Sequence, residues 1–198
     1  MNFWRVYRKY LLASLVLMFT ACGRCGWGTY YLNGTRSYSG DGTISDASVP
    51  SGFFGTRGYV IDFPTFDLGQ RFEASYHLSG VPTLGVRAPA EISMMVDDPR
   101  GFLASSVDSL KDMFKAILKC SLSDSSGAVI TKFEAPLNSL IWSSPIHGRS
   151  GYALYELHKS FFVPNSKEKY TLTIEYSGDP GLSGKTASIY LWCACGGS

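Results

Sequence analysis

The sequence is poor in the residues and motifs that catalytic and nucleic-acid-binding sites use. It has three scattered histidines, and charged residues make up only 17% of the chain. No Lys/Arg cluster follows the first ten residues, so the electrostatic basis for binding nucleic acid is missing. Gly148-Arg149-Ser150-Gly151 falls one residue short of a hydrolase nucleophile elbow. Cys and His spacings typical of zinc sites are also missing. We therefore predict no nucleic-acid partner, no metal, no cofactor and no catalytic residues.

The sequence also lacks an apolar run long enough to cross a membrane. Its longest such run, residues 10–21 (YLLASLVLMFTA), spans about twelve residues, whereas a spanning helix needs about 20. Arg5, Arg8 and Lys9 precede this run without an acidic residue, and small residues close it. This order is typical of a secretory signal peptide, which we prefer to a transmembrane anchor. The predicted signal covers residues 1–21.

The end of the signal carries a lipidation motif. Phe19-Thr20-Ala21-Cys22 resembles the lipobox of bacterial lipoproteins, although Phe19 stands where Leu is usual. The resemblance implies that Cys22 is acylated and becomes the mature N-terminus. Because Gly23 rather than Asp follows it, the resemblance also implies an outer-membrane protein that faces the periplasm of a bacterial cell. A looser likeness to uncharacterised small lipoprotein domains of proteobacteria leaves the function open.

Cleavage after residue 21 changes the charge balance. The 18 basic residues fall to 15 while the 16 acidic residues stay, so the mature chain of 177 residues is close to neutral. That length suits one hydrophobic core. Residues 22–56 are rich in Gly and Ser and predict a lipidated tether, in which residues 30–32 and 37–45 are compatible with a first strand. Residues 57–198 form the predicted folded domain.

The folded domain shows the alternation of β-strands. Residues 72–78 and 170–176 place apolar and polar side chains on opposite faces. A hairpin is predicted over 114–134 and one short helix near 105–113. The remaining predicted strands are 58–63, 91–96, 152–157, 159–163 and 187–195. Short strands with one apolar face each predict an all-β antiparallel β-sandwich, loosely similar to immunoglobulin-like or jelly-roll domains.

Four cysteines remain once Cys22 carries the lipid. In an oxidising compartment an even number favours disulfides. Cys193 and Cys195 share one strand face, so they are not expected to bond each other. Cys120 lies on the apolar side of its strand, and we predict one bridge from Cys120 to Cys193 or Cys195. Cys25 is the remaining disulfide candidate.

Aromatic and polar residues concentrate in the irregular stretch 138–155. Trp142, His147, Arg149 and Tyr152 are the binding candidates there, because aromatic and Arg side chains dominate binding hot spots. The alternative to a binding role is that Trp142 is buried at the end of the sandwich and Arg149 forms a salt bridge with an acidic surface residue. Tyr190 and Trp192 lie opposite the cysteine face of the last strand, either as an exposed patch or as part of a second core layer.

Three classes of function remain open. The first is a non-catalytic envelope lipoprotein that binds a protein partner, with a periplasmic immunity protein as its specific form. The second is a peptidoglycan- or glycan-binding module. The third is a hydrolase with dispersed catalytic residues, which the absence of motifs disfavours. Aromatic side chains aligned on one exposed face would favour the glycan-binding hypothesis over the protein-binding one.

The lipidation motif gives a first testable prediction. We expect Cys22→Ala to abolish both the incorporation of labelled palmitate and membrane fractionation, because the acylated thiol is lost. A variant labelled as strongly as the wild type would contradict this prediction.

Overall fold

The computed structural model describes residues 37–49, 56–84, 89–97, 115–143 and 152–195. This part of the chain contains twelve β-strands and two short 3-10 turns, Leu137–Ser139 and Pro180–Leu182. The strands are β1 (Ser39–Gly40), β2 (Thr43–Val49), β3 (Thr56–Asp62), β4 (Phe66–Asp67), β5 (Phe72–Ser79), β6 (Ala90–Asp97), β7 (Ile117–Asp124), β8 (Val129–Pro136), β9 (Ile141–Ser143), β10 (Tyr152–Phe162), β11 (Lys169–Tyr176) and β12 (Thr186–Cys195). They form two sheets that pack face to face.

The smaller sheet has five strands in the order β1-β5-β11-β7-β8, all antiparallel to their neighbours. Its central strand β11 buries Tyr170, Leu172, Ile174 and Tyr176, while the residues between them are half-buried or exposed. This is the alternation expected of an antiparallel sheet with one face on the core and one in water. The outward face carries hydroxyl and charged side chains, including a salt bridge of 3.1 Å between Lys119 Nζ and a Glu134 carboxylate oxygen.

The larger sheet has the order β2-β3-β12-β6-β10-β9, and short β4 also pairs with β12. All its described pairs are antiparallel. Strand β12 lies at its centre, because it pairs with β3, β4 and β6. The core lies between the two sheets and takes alternate residues of both. Contributors include Leu118, Leu122, Leu172 and Ile174 from the smaller sheet and Tyr59, Ile61, Ile92, Met94, Ile189 and Leu191 from the larger one.

The centre of the larger sheet is buried on both faces. Ile92 and Met94 of β6 face the core, yet the intervening Glu91 and Ser93 are also buried. On β12, Tyr190 is 2% exposed although it alternates with the core residues Ile189 and Leu191. Polar side chains in such an interior must form hydrogen bonds to offset their lost hydration. Hydrogen bonds are therefore expected to hold the buried polar side chains of the outward face in fixed positions.

Strand β10 contains an irregularity that decides which face its last residues occupy. Glu156 is paired with Ser93 and Phe161 with Glu91, so β10 advances five residues while β6 advances two. Extra residues of this kind form a β-bulge, which bends a strand and redirects its side chains. Beyond the bulge, Phe162 is buried in the core and Phe161 is exposed.

Side-chain hydrogen bonds tie the loops to the sandwich. The hydroxyl of Tyr176 donates to the backbone carbonyl of Leu68 at 2.8 Å, which joins β11 to the loop between β4 and β5. An Asp67 carboxylate oxygen accepts from the backbone N–H of Gly69 at 2.7 Å. After β5 the chain passes so close to residue 37 that only glycine fits: Gly80 has a φ of +66°, and a Cβ there would lie 1.9 Å from the Ser37 carbonyl oxygen.

The structure confirms the predicted antiparallel β-sandwich. The predicted hairpin is β7 and β8, which pair from Ile117 and Pro136 to Ser123 and Val129. Strands β1 and β2 extend the sandwich into the N-terminal stretch where a first strand was considered. The predicted helix near 105–113 lies outside the described residues.

The alternation of β11 predicts a difference in stability between neighbouring positions. Leu172→Ala removes a fully buried side chain, so we expect it to lower the free energy of unfolding by about 2–5 kcal/mol. Thr173→Ala, on the outward face of the same strand, should change it by less than about 0.5 kcal/mol. Urea unfolding followed by tryptophan fluorescence measures both values. Equal losses at the two positions would contradict the described register.

Candidate functional site

Three side chains form a row across the outward face of the larger sheet. Glu91 of β6 is paired with Trp192 of β12 on one side and with Phe161 of β10 on the other. Paired residues on neighbouring strands share a face, and such strands lie about 4.8 Å apart. We call Trp192, Glu91 and Phe161 the aromatic row.

Hydrogen bonds fix the carboxylate in the middle of the aromatic row. The indole N–H of Trp192 donates to one Glu91 oxygen at 3.1 Å, and the Ser93 hydroxyl donates to the other at 3.2 Å. Glu91 is only 9% exposed, so these donors compensate for part of its lost hydration. The bond from the indole also fixes the orientation of the Trp192 ring, because the N–H points in one direction from a rigid plane.

The two aromatic rings of the row differ in accessibility. Phe161 is 51% exposed and Trp192 is half-buried. The next residue of β12 on the same face, Tyr190, is buried, which excludes the exposed-patch alternative for that residue. The accessible arrangement is thus an exposed aromatic ring, a hydrogen-bonded carboxylate and a partly exposed indole. It can receive a flat ligand that has an apolar face and polar groups at its edge.

A cleft opens at the other end of the same outward face. Its volume is about 340 Å³, within the range of small-molecule sites. Its polar lining comes from β2, β3, β6, β12 and the segment after β3, and consists of Thr43, Asp62, Thr65, Asp97, Thr186 and Ser188. The remaining lining residues are Phe63, Met95 and Ala187. From Ser188 to Trp192 the strand rises about 13 Å, so the cleft and the aromatic row lie along one strand.

The residues predicted from sequence as a binding loop are only partly described. Trp142 lies in β9 and is paired with Tyr155, and Tyr152 begins β10 opposite Asp97. The structure describes their backbone but not their side chains. His147 and Arg149 lie outside the described residues, as do Cys22 and Cys25. The hypothesis that the binding candidates Trp142, His147, Arg149 and Tyr152 form one site therefore stays a prediction.

The cysteines differ from the predicted arrangement. Cys120 and Cys193 are both buried, as predicted from their strand faces, but neither forms a disulfide bond. Cys120 lies in the smaller sheet and Cys193 in the larger one. Both thiols are free, so the structure does not contain the predicted bridge from Cys120. Cys195 ends β12, and its side chain is not described.

Burial also makes the two thiols unreactive. Desolvation raises the pKa of Cys120 to about 12. The pKa of Cys193 is likewise raised to about 12 by desolvation, against which a hydrogen bond with Tyr59 acts. Since the thiolate is the nucleophile and metal ligand, neither residue suits catalysis or metal binding. Among the described residues, no group of three or more His, Cys, Asp and Glu side chains could hold a metal ion.

No helix in the described ranges is long and apolar enough to cross a membrane. His77 is exposed on β5, with Nδ1 3.3 Å from the Thr171 hydroxyl, and His158 lies in β10, where its side chain is not described. This contact involves two neighbouring strands of the smaller sheet and lies away from the aromatic row and the cleft.

Sequence reasoning did not identify Glu91 or Phe161 as site residues. Glu91 reads as an ordinary outward-facing residue of a strand, and Phe161 as one of two adjacent phenylalanines. Trp192 lies 101 residues from Glu91 in the chain, so only the strand register brings them together. The usable signal was the near-continuous apolar composition of β6 and β12, which is typical of strands covered on both faces.

Comparison with known proteins gives no family assignment. No protein-family model matches the sequence, and no curated protein matches it. Among solved structures, the chain is similar to the enzymatically active domain of tailspike protein 4 of bacteriophage CBA120, with a TM-score of 0.29 and 11% identity over 85% of this chain. The match spans about a fifth of the tailspike chain, 21%.

Two further structures have lower scores. A structure described as a carbohydrate-binding module of the β-sandwich superfamily has a TM-score of 0.22 and 11% identity, covering 77% of this chain and 53% of its own. The KRT10-binding region domain of the pneumococcal serine-rich repeat protein PsrP has a TM-score of 0.20 and 11% identity, covering 71% and 81%. Scores at this level carry no argument about function, which has to come from the outward face itself.

The buried thiols give a prediction about labelling. At about pH 8, iodoacetamide should leave Cys120 and Cys193 unmodified in the folded protein, because burial keeps both thiols protonated. After unfolding without reductant, both should be alkylated. Fragment mass spectrometry of the two peptides measures this. Labelling of Cys120 that required a reductant would instead show that the disulfide predicted from sequence forms.

Proposed function

We propose that this protein is a non-catalytic glycan-binding module of the bacterial cell envelope, with peptidoglycan as its expected target. The observation that carries the proposal is the aromatic row. Its exposed Phe161 and half-buried Trp192 lie on either side of Glu91 on one sheet face. Aligned aromatic side chains on one face are the feature that distinguishes this function from a protein-binding role.

The chemistry of the row suits a sugar. A pyranose ring has an apolar face of C–H groups and an edge of hydroxyls, so it can pack on an aromatic ring while its hydroxyls form hydrogen bonds. Sites of this kind combine aromatic surface with a small number of positioned polar groups. Glu91 is the polar group between the two rings, and it accepts hydrogen bonds from Trp192 and Ser93.

A protein partner has less support from the described surface. Its exposed large hydrophobic side chains are Ile117, Val129, Ile130, Phe161 and Val163. Ile117 lies on β7, Val129 and Ile130 on β8, Phe161 on β10, and Val163 directly after β10. Single exposed apolar residues are common on monomers, whereas an interaction site needs a contiguous patch of several hundred Å². The protein-binding hypothesis, including the immunity role, therefore ranks below the glycan-binding one.

The envelope location in the proposal comes from the sequence. A lipid on Cys22 would hold the domain at the membrane, and the stretch that precedes β1 would let it reach the cell wall. The near-neutral mature chain suits a ligand recognised by stacking and hydrogen bonds rather than by net charge.

Substitution of the exposed ring tests the role of the aromatic row. We expect Phe161→Ala to weaken binding to purified peptidoglycan by about fivefold, because an aromatic contact contributes about 1 kcal/mol. Val129→Ala is the control: Val129 is 58% exposed on β8 of the other sheet and should bind like the wild type. Both residues are exposed, so neither substitution should unfold the protein.

Co-sedimentation with insoluble peptidoglycan and titration with soluble muramyl oligosaccharides measure the two affinities. No binding by the wild-type protein would overturn the proposed function. Equal losses in the two variants would show that the aromatic row is not the binding site.

A further inference from the structure

We propose that the cleft at the end of the aromatic face is a second subsite, which binds the protonated amine of an unacetylated amino sugar. This inference rests on the proposed glycan-binding function and adds a ligand preference to it. The subsite is formed by parts of the chain that the aromatic row does not use, apart from sharing strands β6 and β12 with it.

The polar part of the cleft wall consists of oxygen-bearing side chains, and Phe63, Met95 and Ala187 form its apolar part. Two carboxylates and four hydroxyls line it, from Thr43, Asp62, Thr65, Asp97, Thr186 and Ser188. Among the described residues that line the cleft, none is basic. Carboxylates only accept hydrogen bonds, and hydroxyls can accept as well as donate. An ammonium group has three donors and no acceptor, so it matches this lining in both charge and hydrogen-bonding capacity.

Asp97 is the residue on which the preference depends. Its side chain is exposed at the end of β6, one step beyond the last registered pair, Ala187 with Val96. This position places it beside Thr186 at the opening of the cleft. A carboxylate there is accessible to a ligand and is not buried like Glu91. An ammonium bound beside it would form a charge-assisted hydrogen bond, the stronger kind.

The framework of the cleft is rigid, so the lining is preorganised. The backbone N–H of Phe63 donates to the Ile189 carbonyl at 3.1 Å, and the Phe63 ring contacts Tyr76 with centroids 4.8 Å apart. Thr186 is paired with Asp67 of β4. Because strand pairing and core packing hold these residues, binding needs little ordering of the walls.

The location of the cleft explains how it would act with the aromatic row. Ser188 and Trp192 lie on the same face of β12, about 13 Å apart along the strand, and Tyr190 between them is buried. An oligosaccharide that contacts both the aromatic row and Asp97 would therefore have to span this distance above the buried Tyr190. The aromatic row would supply affinity for sugar rings, and the cleft would distinguish amine-bearing from acetylated sugars.

A divalent cation is the competing occupant of an oxygen-lined cleft. Calcium takes six to eight oxygen ligands and usually several carboxylates, whereas this lining provides two. The amine is therefore the better match, and calcium is retained as an outcome of the test.

The test compares two probes that differ only in the acetyl group. Titration calorimetry of the purified full-length protein would use glucosamine tetrasaccharide and N-acetylglucosamine tetrasaccharide, at low and high sodium chloride. We expect the amine form to bind about fivefold more tightly at low salt, in keeping with a partly exposed ion pair. The difference should shrink as salt screens the charge.

Two variants locate the preference. Asp97→Asn should remove the advantage of the amine form, so that the two probes bind with equal affinity. Glu175→Gln removes the same charge from the exposed face of the smaller sheet and should keep the advantage.

The experiment distinguishes failure of the amine subsite from failure of the proposed glycan-binding function. Equal binding of both probes by the wild type, or an advantage that Asp97→Asn retains, would overturn the amine subsite while leaving the glycan-binding function in place. No preference for the amine form, together with binding of calcium chloride alone by the wild type and not by Asp97→Asn, would make the cleft a cation site instead. Binding of neither probe, together with no binding to peptidoglycan, would overturn both proposals.

Discussion

The register of β12 is the constraint on which the rest of the structure depends. This strand pairs with β3, β4 and β6, and its inward residues fill the middle of the core. Because side chains alternate along a strand, a slip of one residue would move Ile189, Leu191 and Cys193 out of the core and bring Tyr190 and Trp192 in. The same register positions Trp192 opposite Glu91 and Ser188 beside the cleft. Core packing therefore determines the geometry of the outward face.

Burial of Glu91 connects this packing to binding. A carboxylate without hydrogen-bond partners would strongly destabilise the interior, so Trp192 and Ser93 are needed where they lie. Their hydrogen bonds hold the indole against the sheet and make the outward face rigid. A preorganised aromatic surface loses little conformational entropy when a ligand binds. The interaction that makes the buried acid tolerable thus also prepares the surface for stacking.

The sequence predicts the parts of the fold that obey simple alternation. Leu172 and Ile174 on β11, and Leu118, Cys120 and Leu122 on β7, are buried as their spacing indicates. It does not predict that Glu91 and Ser93 are buried, because outward position normally implies contact with water. For the cysteines, spacing shows which face Cys120 and Cys193 occupy but not whether they pair, and both are free thiols in the structure. Of the aromatic row, composition indicates only Trp192, because Glu91 and Phe161 become its neighbours through long-range pairing.

The bulge in β10 has a consequence for how binding specificity could evolve. Its extra residues decide that Phe161 faces outward while Phe162 enters the core, where its ring contacts Tyr170. Insertion of a single residue between positions 156 and 161 would move Phe161 to the core position and turn Phe162 outward. Since both have the same side chain, the core would keep a phenylalanine, and the outward ring would lie two residues further along β10. A chain longer by one residue here can therefore shift the ring relative to Glu91 with no substitution in the site.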